Sequence, residues 1–492
     1  MKKSRLHFMG IGGQGISAVA QMAQMAGDVV TGCDQRESAT VKALQQAGIA
    51  VQIGHDAHHL ADVDALVISP AVPALDPQNP ELLAAQQRGL RVITWQELLG
   101  ELMLSKCVLS VSGVHGKGTT TAMLSLMLVD ANLDPTCEIG AVVPRFGANY
   151  RLGNSDYFVN EADEYNHNFW HYHPRLVIVT SIEYEHPEFF PDYDAYLSAF
   201  EHFVRGMDLQ REWPLPPTLI LNADSAGCHD LHARLHNWPG RILTYSVKGG
   251  GIGTERATVE AYDVRLEGET SFRVKTNTGQ AFPQEQEFHL LLPGVHNIEN
   301  ALAALTAAHV LGVEATSIAQ TLATFSGTRR RFEIRHQGPL ALGQRMLDVM
   351  LIDDYAHHPT AIELTLTATH QRYPDRRIIA VYQPHMYSRT KTFFNQFLHS
   401  FDAADVAIIA DIFPARERDT GLVHARQLAA AIQQEPHFAQ AQAQGQVFHG
   451  GSIEKTTRLL VSILRAGDVV VVMGAGDIYM VTEALLNGAY QA

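Results

Sequence analysis

Val108-Leu109-Ser110-Val111-Ser112-Gly113-Val114-His115-Gly116-Lys117-Gly118-Thr119-Thr120 carries an apolar strand pattern into a glycine-broken loop, and a helical pattern, Thr121 to Ala131, continues it. Strand, loop and helix in that order form the setting in which a Gly-Lys-Thr loop holds phosphate. Glycines let backbone N–H groups close on phosphate oxygens at the positive end of a helix, and an ammonium group neutralises the terminal phosphates. Gly113, His115, Gly116, Lys117, Gly118, Thr119 and Thr120 are therefore the expected ATP-binding loop. A threonine hydroxyl is the expected ligand for Mg2+. Only Val114 and His115 separate Gly113 from Gly116, so the loop is shorter than the common GxxxxGK form.

Upstream, residues 5 to 104 alternate strand-like runs (LHFMG, VVTGCD, ALVISPAV, VIT) with helical stretches (ISAVAQMAQMAG, NPELLAAQQRG), the signature of a parallel sheet with crossover helices. Downstream, proline- and glycine-rich stretches at 211–217 and 249–254 interrupt the pattern, and EAYDVRLEG and SFRVKTN read as an antiparallel annex. After Phe325-Ser326-Gly327-Thr328, strands near MLIDDY, RIIAVYQ, VAIIAD and DVVVVMG open a third unit. The expected fold is α/β in three domains. An N-terminal Rossmann-like domain covers 1–104, a central phosphate-loop domain 105–327 and a C-terminal Rossmann-like domain 328–492. A length of 492 residues agrees with several cores rather than one. The Ala/Gln-rich stretch at 439–446 reads as a surface helix or loop.

With 46% hydrophobic and 18% charged residues the chain is of globular composition, and a net charge of −15 disfavours a nucleic-acid partner. An anionic ligand must then be met by local positive groups. The opening Lys2-Lys3-Ser4-Arg5 and its apolar sequel resemble a secretory leader, but Gly10-Ile11-Gly12-Gly13-Gln14-Gly15 breaks the apolar run, so strand, loop and helix are expected instead. No run reaches the roughly 18 apolar residues that a membrane span needs. Cys33, Cys107, Cys137 and Cys228 show no CxxC spacing and read as buried or idle thiols of a reducing cytoplasm.

Two further features bear on chemistry. Glu161-Ala162-Asp163-Glu164 ends the apolar run Tyr157–Asn160, and His186 follows Glu161 by 25 residues, beyond the apolar run Leu176–Thr180. Carboxylate and imidazole at the ends of neighbouring parallel strands face one crevice with the phosphate loop. Gly10, Gly12 and Gly15, with Asp34 nineteen residues after Gly15, fit a dinucleotide fingerprint, so on these residues alone a nicotinamide oxidoreductase remains an alternative.

The phosphate loop, the EADE segment with His186, the run His296-Asn297-Ile298-Glu299-Asn300-Ala301-Leu302, and Asp353-Asp354-Tyr355-Ala356-His357-His358-Pro359 together resemble the Mur ligases of peptidoglycan synthesis, in order over nearly the whole chain. Gln383-Pro384-His385, Tyr387-Ser388-Arg389-Thr390, Asp411-Ile412-Phe413-Pro414-Ala415-Arg416-Glu417 and Met473-Gly474-Ala475-Gly476-Asp477-Ile478 resemble the alanine-adding branch. The resemblance implies ATP and Mg2+ as cofactors, UDP-N-acetylmuramate and L-alanine as substrates, and a cytoplasmic enzyme without nucleic-acid or membrane partners. Gly10, Gly12, Gly13, Gly15, Asp34 and Ser69 would serve the UDP-sugar. Lys117 would hold the γ-phosphate, with Thr119, Glu161 and His186 at the metal. His296 and Asn300 would face adenine, Asp354 the ribose, and Arg330 or Arg331 the phosphates. Tyr355, His357 and Arg389 would form the amino-acid pocket, with His357 the candidate to take the amine proton.

The chain departs from that pattern in three places. Gly118 follows the loop lysine where alanine-adding members carry a hydroxyl, as in folylpolyglutamate synthases, which moves the expected metal hydroxyl to Thr119. Met386 stands where those members carry an arginine beside the amino-acid carboxylate. Ile182 to Pro187, with Phe189-Phe190, resembles the murein-tripeptide ligase of cell-wall recycling as much as the alanine ligase. The implied reaction is phosphoryl transfer to a carboxylate, then attack of an amine on the acyl phosphate, with domain closure assembling the site. A binding subunit of the same fold without activity is a third alternative.

Overall fold

The computed structural model describes residues 3–70, 72–73, 76–253, 255–276, 286–415, 417–440 and 446–489. Ala71 and Arg416 of the quoted motifs, Thr254, and residues 441–445 of the Ala/Gln-rich stretch lie outside them.

The first sheet is wholly parallel: β1 (Arg5–Met9), β2 (Val29–Asp34), β3 (Ala50–Ile53), β4 (Ala65–Ile68) and β5 (Arg91–Thr94), in the order β3-β2-β1-β4-β5. The order reverses at β1, so the glycine loop that follows β1 opens at the switch point, where open α/β sheets bind ligands. The segment that resembles a leader is strand, loop and helix (Gln14–Met25), as expected. β3 escaped the sequence pattern because three of its four residues are exposed and it closes one edge.

The second sheet has ten strands. β6 (Cys107–Ser112), β7 (Thr136–Val143), β8 (Ala148–Arg151), β9 (Tyr157–Glu161), β10 (Leu176–Val179), β11 (Thr218–Asn222) and β12 (Arg241–Ser246) precede a two-stranded turn, β13 (Gly251–Ile252) and β14 (Glu255–Arg256). β15 (Val259–Arg265), β16 (Thr270–Thr276) and β17 (Glu287–Leu290) complete the large sheet in the order β17-β16-β15-β12-β11-β10-β6-β9-β7-β8. β15, β16 and β17 pair antiparallel, as expected for the annex. β6 lies between β9 and β10, and its six residues are all buried, as a central parallel strand covered on both faces requires. That arrangement brings the phosphate loop, the EADE segment and the residues after β10 to one edge of the sheet.

The third sheet, β18 (Glu333–Leu342), β19 (Arg345–Asp354), β20 (Ile378–Tyr382), β21 (Val406–Ala410), β22 (Gln446–Gly451) and β23 (Val469–Met473), runs β18-β19-β23-β20-β21-β22. All its pairings are parallel except the β18–β19 hairpin. Apolar packing joins the units: the helix Trp95–Met103 lies on the segment Tyr165–His171, where a side chain at Gly100 would overlap the His171 carbonyl. Gly294, at φ +94°, starts the helix Val295–Val310 so close to Ala368 of the helix Pro359–Arg372 that a Cβ there would stand 2.8 Å from it. No helix among the described residues is long and apolar enough to cross a membrane.

Candidate active site

Gly113 and Gly116 both lie at positive φ, +122° and +78°. A side chain at Gly113 would overlap Thr180, and one at Gly116 would overlap Asn300, so both positions demand glycine on conformation and on space. The loop is strapped to the end of β10: Val114 N–H donates to Ser181 O at 3.0 Å, His115 N–H to Ser181 Oγ at 3.2 Å, and Thr180 Oγ1 to His115 O at 2.5 Å. Thr120 Oγ1 donates to Asn300 Oδ1 at 3.2 Å and Thr121 Oγ1 to Lys117 O at 2.8 Å, so both hydroxyls brace the loop. Asn300 is buried against this loop, and His296 lies half-buried beside Asn297, its Nε2 3.1 Å from Asn297 Nδ2. Burial, and then the neighbouring His115, push the His296 imidazole down to about 4, so it is neutral at physiological pH.

Lys117 Nζ donates to Gly113 O at 2.6 Å and to both oxygens of Glu164, at 2.9 and 3.2 Å. Burial works against the ammonium, but Glu164, Asp163 and Glu161 outweigh it and hold Lys117 charged. Glu164 is 1% exposed and also accepts from Tyr196 Oη at 3.2 Å, so it is the resting partner of the loop lysine. Glu164 belongs to the EADE segment, of which Glu161 was the residue expected at the metal. Glu161 lies over Gly118, where a Cβ would stand 3.0 Å from Oε2, and it accepts from Gly140 N–H at 2.9 Å. The space that a hydroxyl residue would occupy after Lys117 is therefore taken by this carboxylate.

Around Lys117 the chain gathers more acid than base. Glu138, which no motif flagged, is 4% exposed, and burial, then Glu161 and Asp163, push its carboxyl up to about 8. Asp163 is pushed up to about 6 by burial and Glu164. Hard oxygen donors crowded until they resist ionisation suit a divalent cation of the Mg2+ type. A carboxyl whose folded pKa is raised stabilises the fold below its unfolded value, 4.5 for Glu138, and loses that contribution as pH rises through about 8. Glu138→Gln is accordingly expected to be close to the parent in stability at pH 5 and more stable at pH 9 in chelator, by up to about 5 kcal/mol, with added Mg2+ narrowing the gap. Melting curves at the two pH values check this, and a variant less stable than the parent at pH 9 would contradict it.

The residues after β10 connect this cluster to the C-terminal sheet. Glu183 Oε2 accepts from Thr360 Oγ1 at 3.0 Å, and His115 Nε2 is 3.3 Å from it. Glu185, 5% exposed, forms an ion pair with Arg389 Nη2 at 2.8 Å, and His357 Nε2 is 3.9 Å from the same oxygen. His357 Nδ1 donates to Tyr355 O at 2.9 Å, and burial with the Arg389 charge keeps its imidazole neutral. His186, at φ +57°, stands among Glu164, Glu188 and Arg389 (3.9, 3.2 and 3.5 Å). Burial lowers its proton affinity, but the bond to Glu188 and the charges of Glu185 and Glu164 more than compensate, so it is raised. With Arg389 on one side and the Glu164 and Glu188 carboxylates on the other, His186 stands where the EADE segment meets the C-terminal unit.

On the C-terminal unit, Arg330 Nη2 donates to Gly474 O at 2.6 Å and its guanidinium lies over Tyr355 and Tyr479, at 5.2 and 4.9 Å, while Arg331 lies over Tyr355 at 4.8 Å. Asp354 accepts from Phe332 N–H and Ala356 N–H, both at 2.7 Å, which ties the arginine turn to the end of β19. Glu417 receives Tyr387 N–H at 2.5 Å and Ser388 N–H at 3.1 Å, and so caps the short helix Tyr387–Thr392 that carries Arg389. Met386 is buried at φ +69° with its N–H on Phe413 O at 2.8 Å, so an apolar side chain fills this position, the departure noted in the sequence.

In the first sheet, Asp34 Oδ2 accepts from Gly12 N–H at 2.9 Å, and Ser69 faces Gly10, where a Cβ would stand 3.8 Å from Ser69 Cβ. Gly13 caps the helix Gln14–Met25, and a side chain at Gly15 would meet the Trp95 ring. Gly10, Gly12, Gly13, Gly15, Asp34 and Ser69 thus form one cluster around the loop after β1. In it Asp34 secures the loop, whereas the dinucleotide reading would have it face a ribose.

Fold and site together define a three-unit α/β nucleotide-binding enzyme built around a phosphate loop. The chain belongs to the Mur ligase family: its residues 5–106 match the model of the Mur ligase family catalytic domain, 111–308 the middle domain and 330–476 the Mur ligase glutamate ligase domain. It is 35% identical over 484 residues to UDP-N-acetylmuramate--L-alanine ligase of Persephonella marina, covering 98% of this chain and 96% of that protein. It is 36% identical over 481 residues to the enzyme of the same name from Halorhodospira halophila, covering 96% and 91%. Among solved structures it resembles a murein peptide ligase from Psychrobacter arcticus, with 26% identity, a TM-score of 0.68 and 99% of each chain covered. It shares the fold of the UDP-N-acetylmuramate-alanine ligase from Thermotoga maritima, with a TM-score of 0.76, 24% identity and 99% of each chain covered.

Proposed function

We propose that this chain joins L-alanine to the lactyl carboxylate of UDP-N-acetylmuramate at the expense of ATP, in the cytoplasm, as a step of peptidoglycan synthesis. The observation that carries this reading is end-to-end likeness, at about a third identity, to relatives of that name. The geometry supports the chemistry. Lys117 would leave Glu164 for the γ-phosphate, while the loop N–H groups would hold the β-phosphate. Glu161 and Thr119 would hold Mg2+, which when bound neutralises charge on the transferring phosphoryl group. His186 would complete the protein ligands of the metal, and Arg389 would bind the amino-acid carboxylate opposite His357. His357, neutral and buried, can accept a proton from the attacking amine. Segments 1–104, 105–327 and 328–492 would serve the UDP-sugar, the ATP and the amino acid, in that order.

The likeness to a murein peptide ligase over 99% of both chains supports a second reading, in which a preformed tripeptide replaces alanine. Incubation with UDP-N-acetylmuramate, ATP and Mg2+, offering alanine, glycine, serine or the tripeptide, separates the readings by phosphate release and product mass. Alanine is expected to turn over best. Turnover with tripeptide alone would overturn the alanine assignment, and no amine-dependent ADP formation would overturn the ligase reading.

A further inference from the structure

Below the first glycine loop, in a different sheet from the phosphate loop, four side chains with metal-binding atoms converge: His7 on β1, Cys33 on β2, His59 after β3, and Glu81 on the helix Pro80–Gln87. One ligand atom from each lies within 4.8 Å of all the others, near the roughly 3.5 Å edge of a tetrahedron with bonds of about 2.0–2.3 Å. Cys33 Sγ is 3.1 Å from Glu81 Oε2, His59 Nδ1 is 2.7 Å from Glu81 Oε1, and His7 Nε2 is 3.5 Å from Glu81 Oε2. His55 Nδ1 stands just behind, 3.3 Å from the sulfur.

The fully buried His7 supplies an independent sign. Its Nδ1 lies 2.8 Å from Thr31 Oγ1, which fixes the ring plane and turns Nε2 towards Glu81. Nε2 makes no hydrogen bond among the described residues and points at a carboxylate, an arrangement that a cation between them would reconcile. The Nδ1 contact is also the outer bond that orients a ligating imidazole.

We propose that His7, Cys33, His59 and Glu81 bind one divalent ion of the zinc class. One sulfur, two imidazoles and one carboxylate suit such an ion better than Mg2+, which takes oxygen. Binding forms the metal–sulfur bond as the Cys33 thiol proton leaves to solvent, and the thiolate and carboxylate then balance the two positive charges. His55 and His59, at 11% and 13% side-chain exposure, mark the entry path. The ion would stiffen the glycine loop, because Cys33 O accepts Gly10 N–H at 2.9 Å and Ile11 N–H at 3.0 Å. The cysteine read as idle from its spacing would thus be a ligand, assembled by strand order rather than by a local motif.

The test uses the full-length chain, stripped with chelator and titrated with Zn2+ and, separately, Co2+. About one zinc per chain surviving gel filtration is expected, with a rise in melting temperature, and Co2+ should give a near-ultraviolet thiolate charge-transfer band. Cys33→Ser should abolish that band and weaken zinc binding about 100-fold or more, and His59→Asn, at a part-exposed position, should weaken it at least about tenfold. Circular dichroism establishes that both variants fold. Equal zinc content and equal melting shifts in parent and Cys33→Ser, or bound Co2+ without the thiolate band, would overturn the site.

Discussion

Replacing Lys117 by Met is expected to lower the turnover number by about 10³ or more while leaving affinity for UDP-N-acetylmuramate within about twofold, since the glycine loop at Gly10–Gly15 belongs to another sheet. The magnitude follows from the charge the ammonium neutralises in a site from which water is excluded, where removing one preorganised donor costs about 3–4 kcal/mol in the transition state. The same change has a cost in stability. Glu164, 1% exposed, loses its cation, and a buried charge stripped of its partner destabilises by about 3–5 kcal/mol. The double variant Lys117→Met/Glu164→Gln removes both charges and should recover most of the lost melting temperature without recovering turnover. Steady-state ADP release, equilibrium binding of the UDP-sugar and thermal denaturation measure the three quantities. Turnover above about a tenth of the parent would exclude Lys117 from phosphoryl transfer.

The strand-loop-helix at Val108–Asp130 was legible because its signals are local: an apolar run, glycines at positive φ and a lysine at the first helical position. The first and third sheets were legible for the same reason wherever strands are buried on both faces. Most strands at sheet edges were missed, β5 with its VIT run being legible. β8 and β22 each pair on one side alone, and β3 and β18 carry mixed exposure, so none shows a continuous apolar run. Site residues divide in the same way. Lys117 lies in a motif with an internal reason for its chemistry, whereas His357 was legible through the family resemblance alone. Glu138, Glu185 and Glu417 matter through partners 23 to 204 residues away, respectively Glu161, Arg389 and the Tyr387–Ser388 turn, and only strand order brings them together. Asp34 and Asn300, expected at ligands, also hold the loops beside them, a role that no local motif announces.

Arg389→Ala is expected to raise KM for L-alanine about 100-fold, with KM for ATP changed less than about threefold. Arg389 is the guanidinium that the family pattern leaves once Met386 fills the neighbouring position with an apolar side chain, so loss of the carboxylate contact has no local substitute. In the resting structure one edge of Arg389 is engaged by Glu185 at 2.8 Å, while its Nε has no hydrogen-bond partner among the described residues. A buried donor without a partner costs free energy that a bound carboxylate would return. Arg389→Lys keeps the charge but loses the planar fork, so it cannot pair with Glu185 and a substrate carboxylate in two directions at once, and it should fall between parent and Ala. Both variants also weaken the link between the C-terminal and central units, because Glu185 lies beyond β10 and Arg389 on the helix that Glu417 caps. Glu185→Gln distinguishes the two contributions. It removes the resting partner but not the amino-acid contact, so KM for alanine should change far less than in Arg389→Ala, although both loosen the interface. Equal effects of the two on KM for alanine would make Arg389 an interface residue alone and move the amino-acid carboxylate elsewhere.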